Sequence, residues 1–237
     1  MAGDARRAFD SHAADYEAEL DRGLRLSGEG KQYFALGRLA ALRRVWTAAG
    51  RAEPRCVLDY GCGIGDVTAL LADCFPRAEV IGVDPSERCI ERAVRDHAGP
   101  RVRFSRLDGF EPPAPPADLV HLNGVVHHVP PRERATLFAA LASATRRGGA
   151  VALFENNPWN PGTRLVMARI AFDRDANPIA APAARSALCA TGLQLLATRF
   201  LFYFQAPLAR LRPLERALER VPLGAQYLVL AERPLAS

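Results

Sequence analysis

From residue 54 onward, short runs of apolar residues alternate with stretches in which apolar residues recur every three or four positions. The recurring spacing is typical of helices that pack by one face, and the continuous runs are typical of strands buried on both faces. We therefore predict repeated strand–helix units and a mostly parallel sheet between two helix layers. The predicted strands are residues 56–59, 80–84, 102–104, 118–122, 150–155, 193–203 and 226–231. The predicted helices among them are residues 66–74, 86–96, 131–145, one ending at 186–191, and 208–220.

The first fifty residues have a helical pattern instead. Phe9, Tyr16 and Leu20 lie on one side of a possible helix, and a second apolar series runs from Tyr33 to Trp46. Gly28 and Gly30 separate the two series, so we predict an N-terminal helical cap.

A glycine-rich loop follows the first predicted strand. Gly61, Gly63 and Gly65 occupy alternate positions, and glycine lets both a positive φ and the close approach of a ligand occur. Asp84 ends the second strand 84 − 59 = 25 positions after Asp59, near the spacing at which an acid meets a ribose diol. A dinucleotide site is the alternative, but it requires G-x-G-x-x-G, and Asp66 would repel phosphate here. The spacing and the acid therefore argue against a dinucleotide site.

Polar side chains also follow each of the first five predicted strands, at the edge where open parallel sheets bind ligands. Asp59, Asp84, Asp108, the run 123–128 and the run 155–160 occupy these positions. Each residue taken singly is also compatible with a turn or helix cap.

With these motifs in view, the chain resembles a class I S-adenosylmethionine-dependent methyltransferase of the small-molecule type. The resemblance rests on V-L-D-x-G-C-G-x-G at 57–65, V-I-G-V-D at 80–84, R-L-D at 106–108 and D-L-V-x-x-N-x-V-x-H-H-V at 118–129. It implies one domain with a doubly wound, mostly parallel seven-stranded Rossmann-like sheet that ends in an antiparallel strand. The implied parts are the cap (1–50), the cofactor-binding half (51–155), a substrate loop or lid (156–192) and the closing strands (193–237).

The resemblance also implies residue roles toward S-adenosylmethionine. Gly61 and Gly63 would pass under its methionine part, Asp59 would orient that loop and the amino group, and Asp84 would hold the ribose hydroxyls. Asp108 with Leu107 would meet the adenine, and the Asn123 backbone would close the pocket. Further implied contacts are Tyr16, which covers the cofactor from the cap, and Cys62, Pro85 and Gly124.

Methyl transfer from a sulfonium requires mainly that a nucleophile be oriented and water excluded. A histidine base helps when the acceptor is a hydroxyl or an acidic carbon. His127 and His128 are the candidates, and in a regular element we expect at most one of them to face the acceptor. A packing role for both is the alternative. His121, inside an apolar strand, is interpreted as a core residue.

The loop after the fifth strand contains amide, aromatic and cationic side chains and is stiffened by two prolines. We predict that it lines the acceptor pocket through Glu155, Asn156, Trp159 and Arg164. Lys31, the only lysine, is with Arg164 a candidate to meet an anionic acceptor, although solvated surface is the commoner position for a lysine.

Composition narrows the class of protein. The chain has 237 residues, 49% apolar content and a net charge of +5 that comes almost wholly from dispersed arginines, so no nucleic-acid partner is expected. No apolar run is long enough for membrane insertion, and the first residues are not those of a signal peptide, which favours a cytoplasmic protein. Five scattered cysteines predict neither disulfides nor a metal site.

The sequence thus predicts a methyltransferase that acts on an oxygen or carbon of a small molecule, in specialised biosynthesis, as a monomer or homodimer. Two alternatives stay open at this point. One is methylation of a lipid, quinone or macromolecule, and the other is a cofactor-binding protein that does not methylate.

Overall fold

The alternation of strands and helices is confirmed in the computed structural model, which describes residues 27–108, 113, 116–170 and 176–235. The strands are β1 Cys56–Tyr60, β2 Glu79–Asp84, β3 Val102–Arg106, β4 Ala117–Asn123, β5 Thr145–Asn156, β6 Gln194–Leu201 and β7 Gln226–Glu232. The α-helices are α1 Lys31–Ala48, α2 Asp66–Cys74, α3 Glu87–His97, α4 Arg134–Ala144, α5 Pro161–Met167, α6 Ala181–Ala190 and α7 Glu215–Leu218.

All seven strands belong to one sheet, in the order β3-β2-β1-β4-β5-β7-β6. The pairs β1–β2, β2–β3, β1–β4 and β4–β5 are parallel, whereas β7 is antiparallel to both β5 and β6. The doubly wound sheet with a closing antiparallel strand is therefore confirmed. Strand order reverses between β1 and β4, and such a reversal opens a crevice at the carboxyl ends of the strands.

Alternate residues of the central strands enter two separate cores, one on each face of the sheet. Val57 and Leu119 pack with α1, whose Trp46 is almost fully buried. Leu58 and Val120 face the other way and pack with Phe138 of α4. Because each large apolar side chain contributes roughly 1.5–3 kcal/mol when it is buried, the two cores hold the helix layers against the sheet.

The predicted helix at 208–220 is wrong in form. The chain has 3₁₀ turns over Ala206–Leu214 and then the single α-helical turn of α7. Pro207 and Pro213 lie in the 3₁₀ segment. Proline has no N–H to donate and its ring crowds the carbonyl four residues earlier, which interrupts a regular α-helix. The first predicted helix, with Tyr16, lies outside the described residues.

Within the described part of the chain, none of the helices combines the length and the apolar character needed to cross a bilayer.

Candidate active site

A cavity of about 870 Å³ opens where strand order reverses. The glycine loop after β1 forms one wall, and Asn123, Gly124 and both histidines of the segment after β4 form the next. The end of β5, α1 and one face of α5 complete it. Its volume is within the usual range for a site that binds a small molecule or cofactor.

The glycine loop is fixed by backbone hydrogen bonds to β2. The N–H groups of Gly61 and Cys62 both donate to the carbonyl of Val83, at 2.8 and 3.0 Å. Gly61 has φ +75°, and a Cβ there would lie 2.5 Å from Cγ2 of Val125. Gly63 has φ +53° and nothing within 4 Å of an added Cβ. Gly61 thus permits the loop to pack, whereas Gly63 presents open backbone to the cavity.

Asp84 braces this loop. Its Oδ2 accepts from the N–H of Gly63 at 2.9 Å, and its Oδ1 accepts from the N–H of Ser86 at 2.9 Å. Described residues predicted to bind the cofactor but absent from the cavity lining are Asp84, Pro85, Leu107 and Asp108. Their ribose and adenine contacts stay predictions.

Asp59, at the end of β1, forms a buried pair with His121 of β4. The distance from His121 Nδ1 to Asp59 Oδ1 is 2.7 Å, and Thr68 Oγ1 donates to Asp59 Oδ2 at 2.6 Å. The strand register places Asp59 directly beside His121. His121 also lines the cavity, so it is a site residue that sequence reasoning interpreted only as core.

A second buried histidine–carboxylate pair joins His127 to Glu155. His127 Nδ1 lies 2.6 Å from Glu155 Oε2, and Glu155 Oε1 accepts from the N–H of Val126 at 2.7 Å. The His127 and Glu155 side chains are only 3% and 0% exposed. Glu155 lines the cavity, and its two oxygens hold the His127 ring and the Val126 N–H; its predicted contact with substrate stays a prediction.

Both histidines line the cavity, and their ring centroids are 4.1 Å apart. Which of them faces the acceptor stays a prediction. They lie in a single 3₁₀ turn, Val126–His128, rather than in a strand. Successive side chains in a 3₁₀ turn point about 120° apart instead of to opposite faces, so neighbours can flank the same opening.

Lys31 lines the cavity near its glycine-loop side. Its Nζ lies 2.9 Å from Asp66 Oδ2, and His97 Nε2 lies 3.0 Å from Asp66 Oδ1. The Lys31 and Asp66 side chains are each 39% exposed, and ion pairs of this kind contribute only about 0–1 kcal/mol. An anionic ligand would compete with Asp66 for this lysine, and the predicted substrate contact stays a prediction.

The helix α5 begins within the segment that was predicted as a loop after β5. Asn160 caps that helix by accepting from the N–H of Thr163 at 2.9 Å. Asn156 and Thr163 line the cavity, but Trp159 and Arg164 point to solvent and do not. One helical step of about 100° separates Arg164 from Thr163, which turns the arginine away from the opening.

Several cavity residues were not predicted from sequence. Thr163 and Met167 of α5, with Ile170 three residues beyond the helix, follow a spacing of three or four residues, a signal that could have identified this part of the cavity wall. Arg38 of α1 and Gln226 of β7 also line the cavity, and Arg38 Nη1 donates to Gln226 Oε1 at 3.0 Å. No local pattern brings together two residues so far apart in the sequence.

Two other titratable groups on the cavity wall are held neutral by their surroundings. Burial, with the nearby carboxylates of Asp59 and Asp84, strongly raises the pKa of the Cys62 thiol. Burial also raises the pKa of Tyr203 to about 12, and its hydroxyl donates to the carbonyl of Leu218 at 2.6 Å. Neither group is suited to act as a base at neutral pH.

Comparison with known proteins gives consistent matches. Residues 57–149 match the family model described as a methyltransferase domain. A trans-aconitate 2-methyltransferase of Streptomyces coelicolor is 36% identical over 130 residues, which are 52% of this chain and 42% of that protein. A trans-aconitate 2-methyltransferase of Azoarcus sp. is 34% identical over 159 residues, covering 63% and 61%. The chain thus spans about half the length of these relatives.

Among solved structures, the magnesium protoporphyrin IX methyltransferase of Synechocystis with bound S-adenosylhomocysteine superposes with a TM-score of 0.66. The two chains are 19% identical, and the match covers 96% of this chain and 97% of the other. At that identity the match demonstrates a shared fold.

Proposed function

We propose that the chain is a class I S-adenosylmethionine-dependent methyltransferase that transfers the methyl group of that cofactor to an oxygen or carbon of a small molecule. The observation that carries the proposal is one cavity that holds both the open backbone of the glycine loop and the buried His127–Glu155 pair.

The residues present fit S-adenosylmethionine. Gly63 leaves room for a ligand to lie against its backbone, and Asp59 supplies a buried negative charge beside it. Asp66 at the start of α2 disfavours a phosphate, because its carboxylate would repel a second anion at this helix N-terminus. When bound, the cofactor supplies a methyl group that is activated by a positively charged sulfur.

His127 is proposed as the general base. A carboxylate has no proton, so Nδ1 of His127 must donate its N–H to Glu155, and the neutral ring then has its lone pair on Nε2. That nitrogen is able to take a proton from an acceptor hydroxyl or acidic carbon. Such proton transfer typically contributes 10²–10⁴-fold to a rate.

Trans-aconitate, named in both relatives, is the first acceptor to test. The purified protein is incubated with S-adenosylmethionine and single acceptors, and S-adenosylhomocysteine is measured by mass spectrometry. Small carboxylic acids and small alcohols or phenols form the main panel, and quinones and phospholipid vesicles test the runner-up class. Binding of S-adenosylhomocysteine without turnover on any acceptor would support a protein that does not methylate.

His127→Gln and His128→Gln form a matched pair for the base assignment, because both rings line the same cavity. We expect the His127 variant to lose at least about a hundredfold in kcat while it keeps its affinity for S-adenosylhomocysteine. The His128 variant should lose less. Equal, small effects of both changes would reject histidine base catalysis.

A further inference from the structure

His121 has an unsatisfied polar atom inside the protein. The residue is only 1% exposed, and its Nε2 has no hydrogen-bond partner among the described residues. Its Nδ1 is committed to Asp59, and its ring packs against Phe154 with centroids 5.5 Å apart. A rigidly held, buried nitrogen without a partner is unusual and points to a ligand that completes it.

The chemistry of that nitrogen follows from its neighbour. Because the Asp59 carboxylate can only accept, Nδ1 of His121 carries the proton that lies between them. The neutral ring then has a lone pair at Nε2, which needs a hydrogen-bond donor. His121 lines the cavity, so a ligand bound there is positioned to supply this donor.

The net charge around His121 favours a cationic hydrogen-bond donor at Nε2. With a neutral His121, the cluster of Asp59, His121 and Thr68 carries one net negative charge, and the Asp59 side chain is only 3% exposed. Each Asp59 oxygen already accepts one hydrogen bond, from His121 and from Thr68 respectively. A cationic N–H donor compensates the buried charge and also satisfies the free lone pair.

The second histidine–carboxylate pair lies on the other side of the sheet. Asp59 and His121 lie on the α1 face of the sheet, two residues after Val57 and Leu119, whereas Glu155 lies on the α4 face, two residues after Leu153. The two pairs therefore border the cavity from different faces. The Glu155 pair includes His127 of the 3₁₀ turn, and the Asp59 pair lies at the end of β1, directly before the glycine loop.

We propose that His121 is a cofactor-binding residue whose Nε2 accepts a hydrogen bond from the ammonium group in the methionine part of S-adenosylmethionine. This inference rests on the proposed function. It gives Asp59 an indirect role, because the carboxylate fixes the tautomer and ring orientation of His121 and supplies the negative charge.

The test compares two ligands that differ in the amino-acid part. S-adenosylhomocysteine carries the ammonium, whereas 5′-methylthioadenosine lacks the whole amino-acid group. His121→Asn keeps a side-chain N–H near the position of Nδ1 but removes Nε2. By calorimetry we expect this variant to lose at least tenfold in affinity for S-adenosylhomocysteine and less than twofold for 5′-methylthioadenosine. His121→Gln, which extends a polar group toward the position of Nε2, should recover part of the loss.

Equal losses for both ligands, or no loss for either, would overturn the proposal. If His121→Asn does not fold, the wild-type protein with ¹⁵N-labelled histidine decides the question by NMR. The Nε2 resonance of His121 should move on addition of S-adenosylhomocysteine and stay in place with 5′-methylthioadenosine. Failure of the wild-type protein to bind either ligand would instead contradict the proposed function, so the two failures are distinguishable.

Discussion

Alanine substitutions at Gly61 and Gly63 should separate the folding role of the glycine loop from its binding role. Both residues have positive φ, at +75° and +53°, and an L-residue held in that region costs roughly 1–2 kcal/mol. At Gly61 the new Cβ would also lie 2.5 Å from Cγ2 of Val125. Overpacking of this kind adds about 1–3 kcal/mol. We therefore expect Gly61→Ala to destabilise the protein by about 2–5 kcal/mol and Gly63→Ala by about 1–2 kcal/mol.

The loss of ligand affinity, corrected for the folded fraction, should be larger for Gly63→Ala than for Gly61→Ala, the opposite of the order in stability. The methyl group added at Gly63 has nothing within 4 Å, and Gly63 lines the cavity, so we expect the methyl group to take space from a ligand. We expect Gly63→Ala to lower the affinity for S-adenosylhomocysteine at least tenfold, or about 1.4 kcal/mol. Urea unfolding gives the stabilities and calorimetry the affinities.

Val125→Ala provides the control, because it removes the atoms that the Gly61 methyl group would meet. Combined with Gly61→Ala, it should recover part of the lost stability, whereas combined with Gly63→Ala it should recover none. The reasoning is refuted if Gly63→Ala binds S-adenosylhomocysteine like the wild-type protein, or if the two glycine variants are equally stable.

Three further predictions follow from buried and paired carboxylates. Glu155→Gln, which presents an amide in place of the carboxylate at His127, should lower kcat by about 10²-fold or more and leave S-adenosylhomocysteine binding unchanged; an unaltered rate would contradict the tautomer argument. Asp118 is partly buried, which favours the neutral acid, but hydrogen bonds from Arg146 and two backbone N–H groups outweigh this and lower its pKa. Asp118→Asn should therefore lower the free energy of unfolding by about 2 kcal/mol at pH 7, measured with urea. The difference from the wild-type protein should vanish as the pH falls below about 3.9 and through the lowered folded-state pKa of Asp118. A difference that does not change with pH would contradict this prediction. Asp84→Ala should weaken S-adenosylhomocysteine binding by roughly 1.5–3 kcal/mol by calorimetry, and unchanged affinity would remove its ribose role.

Local patterns predicted the elements that depend on neighbouring residues. The start and end of α2 and the strands that flank it follow from Gly65, Asp66 and a short apolar run, and the structure has them within a residue or two of the prediction. The glycine loop could also be predicted from the sequence, because the positive φ angles that require glycine depend on local geometry. The interrupted helix at 208–220 was missed although Pro213 stands inside it.

The sequence by itself therefore determined the strand–helix order, the glycine loop and the match of residues 57–149 to a methyltransferase domain. Tertiary structure decided which side chains act together. Asp59 and His121 are 62 positions apart, and His127 and Glu155 are 28 apart. A one-residue change in strand register would send either partner to the other face of the sheet, and one helical step at Arg164 turns a predicted site residue to solvent. Register and helix rotation are set by packing across the whole sheet, so no local pattern encodes them.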